Sequence, residues 1–255
     1  MKLGIAYNFF DGEELLKKSM VSVLNHVGYI CIVYQKISNY CNEWNPENQS
    51  LLNSLNVELI EYVPDLSKAP NENEINKRNI GLQKCRENSC SHILMMDADE
   101  FYISQDFEGA KNFLEENNHD SSACQMFTYF KKPIYQIIPP EKYFVPFIHK
   151  INDSSEYVLH HHYPVLVDQT RILNQPQESF YKFPRNQLAM HHFSFVRKNI
   201  KSKIMNSSAK VNFKDPEKYI NFFNNWKPGI KNFHPSNSKE FKDIKVVENI
   251  FSIEI

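Results

Sequence analysis

Glycine is scarce: 6 in 255 residues, too few for a collagen repeat or a glycine-rich β-solenoid. An excess of either charge is also missing. Lys+Arg 29 against Asp+Glu 30 leaves a formal charge of -1, which argues against a nucleic-acid coat or a polycationic membrane binder. No apolar run reaches the roughly 18 residues of a bilayer span. The early run LGIAY is broken at Asn8 and Asp11 and has no small-residue cleavage site after it, so it reads as a buried first strand rather than a signal peptide. The five cysteines are an odd, scattered set with no CxxC pair, which argues against a disulfide framework or a zinc knuckle. Reduced thiols in a cytoplasmic protein are the expectation. With 42% apolar and 23% charged residues, wholesale disorder is excluded.

What is present is alternation. Residues 3–8 are of strand length. Asp11 with Glu14 predicts a capped helix carrying Leu16, Met20, Val23 and Val27 on one face, stopped by Gly28. YICIVYQ (29–35) is a second strand, a short helix follows near 46–55, and 57–63 is a third strand. Asn71 with Glu74 opens another helix bearing Ile75, Leu82 and Cys85, and SHILMMDADEFY closes a fourth strand. This β-α-β-α-β-α-β order predicts an α/β fold with a mostly parallel central sheet flanked by helices, and ligands at the carboxyl ends of the strands. Farther on, a helix is expected at 106–117 and a strand at 122–130, then short β-like pieces including YFVPFIHKI and YPVLV. Helical segments at about 195–208 and 216–226 give a helical C-terminal extension. One domain, 1–255, is expected, in parts 1–130, 131–210 and 211–255.

Asp97 and Asp99 sit at the end of the fourth strand. Two carboxylates facing one point repel unless a cation joins them. Hard oxygen ligands suit Mn²⁺ or Mg²⁺, with phosphate oxygens completing the shell. Any DxD triplet is weak evidence alone, and a solvated turn is the bland alternative. The placement after an apolar strand is the more specific feature.

Four stretches, LGIAYNFFDGEELLKKSMVSVL, ICIVYQ, NEINKRNIGLQKC and HILMMDADEF, resemble the GT-A fold glycosyltransferases of the family 2 type. MHHFSFVRKNIKSKIMNSSAKVNF is similar to a bacterial and viral subgroup of them. The resemblance covers residues 1–130, the nucleotide-binding half, better than the acceptor-side half and the extension. It implies a nucleotide-sugar donor, a UDP-sugar first, and a divalent metal. Carried over by position, Asn8 touches the nucleotide, and Gln35 stands where a base-reading carboxylate is usual. Arg78, of the Arg78–Asn79 pair, approaches uridine or the diphosphate. Asp97 meets the ribose or metal, and Asp99 binds the metal. A later histidine often completes such a shell; of His191 and His192, the expectation falls on His192. The run His160–His161–His162 has no neighbouring acid and reads as structural or solvent-facing.

The basic segment 197–210, with Arg197, Lys198, Lys201 and Lys203, brackets a leaving diphosphate, forms a solvated face, or meets anionic lipid as a peripheral membrane contact. An inverting transfer needs a carboxylate base. Asp168 is the first candidate, ahead of Asp153 and Glu178, although it also suits a turn cap or a pair with Arg171. Tyr129, Tyr135, Phe180 and Tyr181 are candidates for an acceptor groove that takes a glycan or lipid-linked glycan. The rival readings are a nucleotidyltransferase, disfavoured by the acidic single-glycine loop NFFDGEE, a DxD phosphatase, whose acids belong on the first strand, and a non-catalytic carbohydrate-binding protein.

Overall fold

The computed structural model describes residues 1–174, 178–208, 210, 213, 215–231 and 242–255. Four parallel strands form one half of a central sheet: β1 (Leu3–Phe9), β2 (Tyr29–Tyr34), β3 (Glu58–Glu61) and β4 (His92–Asp97). β1 lies between β2 and β4, and β3 flanks β2. The crossovers carry α1 (Glu13–Val23), α2 (Glu47–Asn53) and α3 (Pro70–Glu87). The expected α/β class and order are therefore present.

Alternation along β1 divides the core. Ile5, Tyr7 and Phe9 pack with Leu16, Met20 and Val23 of α1, while Ala6 faces the side of Ile75, Leu82 and Cys85 on α3. Each large apolar side chain buried this way contributes roughly 1.5–3 kcal/mol. α3 approaches the sheet closely because Gly81 lacks a side chain; a Cβ there would stand 2.6 Å from Ala6 Cβ. That approach seats Lys77 and Arg78, one turn earlier on α3, above the carboxyl ends of the strands.

The second half is mixed. It comprises β5 (Glu100–Phe101), α4 (Ser104–Glu116), β6 (Ser121–Phe130), β7 (Tyr135–Ile138), β8 (Phe144–Lys150), β9 (Phe180–Phe183) and β10 (Ala189–Phe195). α5 (Ile200–Asn206), α6 (Pro216–Asn225) and β11 (Asp243–Val246) follow. β8 runs antiparallel between β4 and β6. β10 pairs parallel with β6 and antiparallel with β5, His192 opposite Glu100.

Several local expectations are corrected. α1 is preceded not by an Asp11 cap but by Gly12, in a left-handed conformation (φ 92°) with no side-chain cap. A Cβ on Gly12 would collide with the Arg197 guanidinium. The box on α3 is two residues earlier than Asn71/Glu74, with Glu72 accepting from the Ala69 N–H at 2.9 Å. The expected helix at 195–208 begins only at Ile200, where the Asn199 side chain accepts from Ser202 N. Before it, MHHFSF alternates between two faces and is strand. YPVLV is not a strand; it is irregular chain that buries Tyr163 and Val167. The C-terminal extension is not wholly helical, since β11 extends the sheet beside β7. Among the described residues, no helix is long and apolar enough to cross a membrane.

Candidate active site

At the carboxyl ends of β1, β2 and β4 lies a cavity of about 720 Å³. Asn8, Gln35, Asp97, Asp99, Asp168 and His192 all line it. Register explains part of this convergence: Asn8 on β1 is level with Asp97 on β4. The β5–β10 pairing, tightened by Phe193 N–H donating to Asp99 O at 2.8 Å, brings the HHF segment to the DADEF turn.

Adjacent strand residues point oppositely, and the two histidines separate accordingly. His191 is buried, with Nδ1 2.7 Å from the Tyr129 hydroxyl and Phe251 against its ring. His192 faces the cavity, with Nε2 3.7 Å from Asp99 Oδ1. Burial lowers the His192 pKa, and Asp99 only partly opposes this. A neutral imidazole is the form that ligates metals.

Asp99 is buried. Its Oδ2 accepts from Arg197 Nη2 and, at 3.0 Å, from Lys203 Nζ. Burial alone would raise its carboxyl, but Lys203 and Arg197 outweigh that and hold it well below the usual carboxylate range. Its Oδ1 is buried with no hydrogen-bond partner. An unpartnered carboxylate oxygen beside a neutral imidazole fits a divalent Mn²⁺ or Mg²⁺ ion. Among the described residues, no group of three or more His, Cys, Asp or Glu side chains is placed to hold a metal alone. A Mg²⁺-type site needs only one or two carboxylates when phosphate oxygens and water complete it.

Asp97 is one-third exposed and ties elsewhere. Its Oδ2 is 2.6 Å from Arg171 Nη2, and its Oδ1 is 3.7 Å from Arg78 Nη2. Its pKa is lowered: burial works against this, but Arg171 and Arg78 prevail. Arg78 itself is fully buried, donates to Glu74 Oε1 at 2.9 Å, and does not line the cavity. It backs Asp97 from behind, where the resemblance implies an approach to uridine or the diphosphate. Its neighbour Asn79 clasps the Tyr157 backbone, donating to O and accepting from N–H.

Both polar side-chain atoms of Asn8 are buried without partners at the cavity wall. An orphaned donor–acceptor pair of this kind is costly unless a ligand completes it. Gln35 spends one amide hydrogen on Ile37 O at 3.0 Å. Lys77, which the sequence did not single out, also lines the cavity. It donates to Phe9 O at 2.8 Å, and burial pushes its amine down to about 7.

Asp168 Oδ1 accepts from Thr170 N–H at 2.8 Å and from the Thr170 hydroxyl at 2.9 Å, capping the short turn Gln169–Arg171. Its Oδ2 carries neither bond. Arg171 turns away from it to Asp97 and Glu100. Asp153, Glu178 and His160–His162 are exposed and lie outside the cavity lining. The proposed acceptor aromatics are corrected too, since none of them lines the cavity. Tyr129 stacks on Phe193 with ring centroids 4.3 Å apart, Tyr181 packs on Phe113, Tyr135 on Trp226, and Phe180 on Tyr163. Tyr143, Phe144 and Leu166 do line it. Asn206, which lines the cavity, accepts through Oδ1 from Asn42 Nδ2 at 2.9 Å, and Lys210 Nζ lies 4.6 Å from the Tyr40 ring centroid.

No protein-family model and no curated protein sequence matches the chain. Among solved structures it is similar to S. aureus TarS 1–349, at 14% identity over 83% of this chain and 68% of that one, with a TM-score of 0.41. It is also similar to TarS 1–349 in complex with UDP-GlcNAc, at 13% identity over 52% of this chain and 36% of that one, with a TM-score of 0.38. Against another TarS structure it spans only 22% of that chain. A CMP:2-keto-3-deoxy-manno-octonic acid synthetase complexed with CTP is similar at 8% identity over 60% of this chain and 72% of that one, with a TM-score of 0.35. At such scores no residue role transfers.

Proposed function

We propose that this chain is a metal-dependent glycosyltransferase that moves a sugar from a nucleoside-diphosphate donor, a UDP-sugar first, to a hydroxyl of a glycan or lipid-linked glycan. What carries the reading is the convergence on one cavity of three unlike groups. These are the unpartnered Asn8 amide, the Asp99–His192 pair with its free carboxylate oxygen, and the Arg197–Lys203 cations.

Asn8 and Gln35 bind the nucleoside through amide donors and acceptors. Asp97 accepts from a ribose hydroxyl or joins the metal shell. Asp99 and His192 are the residues that hold Mn²⁺ or Mg²⁺, which when bound supplies Lewis-acid neutralisation of the diphosphate. Arg197 and Lys203 add fixed positive charge for the leaving group, already oriented before reaction. Asp168 Oδ2 takes the acceptor's proton, and the outcome is inversion. Asn206, Ser207 and Ser208, which line the cavity, limit water, which would otherwise hydrolyse the donor. Exposed Lys198, next in the chain to Arg197, is where an anionic membrane bearing the acceptor would be met, with the protein on the cytoplasmic side.

A thermal-shift series of nucleoside diphosphates with and without Mn²⁺ tests the reading. A rise for UDP only when metal is present supports it. Equal responses to all nucleotides, or none, would contradict it.

A further inference from the structure

We propose that Arg171 is a positioning residue for the donor site: it fixes the Asp97 carboxylate so that one oxygen alone faces the ligand, and Glu100 fixes Arg171. This rests on the donor-site reading above.

Three hydrogen bonds and a backbone contact close a ring. Arg171 Nη1 donates to Glu100 Oε2 at 3.1 Å, and Nη2 donates to Glu100 Oε1. The same Nη2 donates to Asp97 Oδ2 at 2.6 Å. Glu100 Oε2 also accepts from the Asp97 backbone N–H at 3.0 Å. Asp97 is therefore held at its main chain by Glu100 and at its carboxylate by the arginine that Glu100 grips. A planar guanidinium makes this fork, and an ammonium cannot.

Arg171 comes from a turn far along the chain, ordered by its own Asp168–Thr170 cap. Glu100 and Arg171 are buried, yet both line the cavity. A buried ion triad is weak evidence for stability, because apolar side chains of equal volume often serve as well. Its place in the cavity wall points to orientation instead. Asp97 and Asp99 carry like charge two positions apart, and they are served by separate cations, Arg171 and Arg78 for the first, Arg197 and Lys203 for the second. With Oδ2 hydrogen-bonded to Arg171, Oδ1 carries only the longer 3.7 Å ion pair with Arg78 and is the oxygen left to hydrogen-bond the ligand. Loss of Arg171 frees the carboxylate to rotate toward Asp99.

The test is a double-mutant cycle read by calorimetry of UDP binding with Mn²⁺, on folded protein well below its melting temperature. Arg171→Lys is expected to weaken binding about tenfold in the wild-type background. In an Asp97→Asn background, where there is no carboxylate pair to orient, it is expected to change binding by less than about twofold. Glu100→Gln, which keeps the side-chain shape, is the second variant should Arg171→Lys fail to fold, and its loss too should vanish with Asp97→Asn. Unchanged affinity in these variants, or the same loss in both backgrounds, overturns the positioning role while leaving the donor reading intact. Failure of the wild type to bind any nucleoside diphosphate overturns both.

Discussion

His192 Nε2 stands 3.7 Å from Asp99 Oδ1: His192 lies on β10, and Asp99 lies in the turn immediately before β5, the strand that pairs antiparallel with β10, although 93 positions of sequence separate the two residues. The backbone pairing of β5 with β10 makes that proximity a property of the sheet rather than of flexible side chains. The Asp99 turn is tied to β10 by Phe193 N–H donating to Asp99 O at 2.8 Å, and a turn anchored to paired strands holds its geometry better than a free loop. The free carboxylate oxygen and the imidazole are the pair on which the account of metal and diphosphate rests.

The base assignment separates binding from chemistry. Asp168→Asn keeps an oxygen able to accept from Thr170 but cannot take a proton. Transfer is expected to fall by about 10²–10⁴-fold, the usual worth of a general base. UDP affinity should stay within about twofold, since the proposed role of the residue is toward the acceptor rather than the donor. Steady-state rates and calorimetry on the same preparation check this. A variant that keeps full activity would remove Asp168 from the mechanism.

Close packing of α3 gives a stability prediction with an internal control. Gly81→Ala places a Cβ 2.6 Å from Ala6 Cβ, a strand atom that cannot swing aside. Overpacking of this kind costs about 1–3 kcal/mol. Because α3 carries Lys77 and Arg78, nucleotide affinity should fall as well. Gly109 in α4 has nothing within 4 Å of an added Cβ. Gly109→Ala should therefore stabilise the protein by about 0.5–1 kcal/mol, the helix preference of alanine over glycine. Urea unfolding of both variants reads the contrast.

Acid sensitivity is expected from His149. Burial pushes its pKa down to about 4, and its Nε2 lies 2.9 Å from the Tyr163 hydroxyl. The unfolded chain takes up a proton near the ordinary histidine value of about 6.5, whereas the folded chain resists until about 4. Stability from this group is thus intact above about pH 6.5 and is lost as pH falls toward 4. Between pH 7 and pH 5 the loss is about 2 kcal/mol. His149→Gln should lower stability at pH 7 but show a smaller drop on moving to pH 5. Urea midpoints at the two pH values measure it, and parallel curves for wild type and variant would contradict it.

The parts of the fold legible in the sequence are those set by local periodicity. β1 through β4 announce themselves as apolar, β-branched runs between helical spacings, and that order alone places Asp97 and Asp99 at the ligand-binding edge. What stayed hidden depends on distant partners. Gly12 adopts its left-handed turn where Arg197 fills the space a side chain would need, so Asp11 looks like a cap and is not. Arg171 is a single cation in an irregular stretch, and nothing nearby signals that it will meet Asp97. Glu100 read only as the residue after the motif, yet it anchors the ring around it. Aromatic content misled in the other direction: Tyr129, Tyr135, Phe180 and Tyr181 spend their rings on neighbouring strands and helices. The HHF segment gave a half answer, because strand alternation requires one histidine to face inward and the other the cavity, and only the β5–β10 register decides which.

The central claim is most directly tested by the anomalous scattering of manganese in a crystal of the protein grown with Mn²⁺ and UDP. The account predicts an ion ligated by Asp99 Oδ1 and His192 Nε2, with diphosphate oxygens completing its shell. An ion bound elsewhere, or UDP bound in the cavity with Asp99 and His192 touching neither metal nor phosphate, would contradict it.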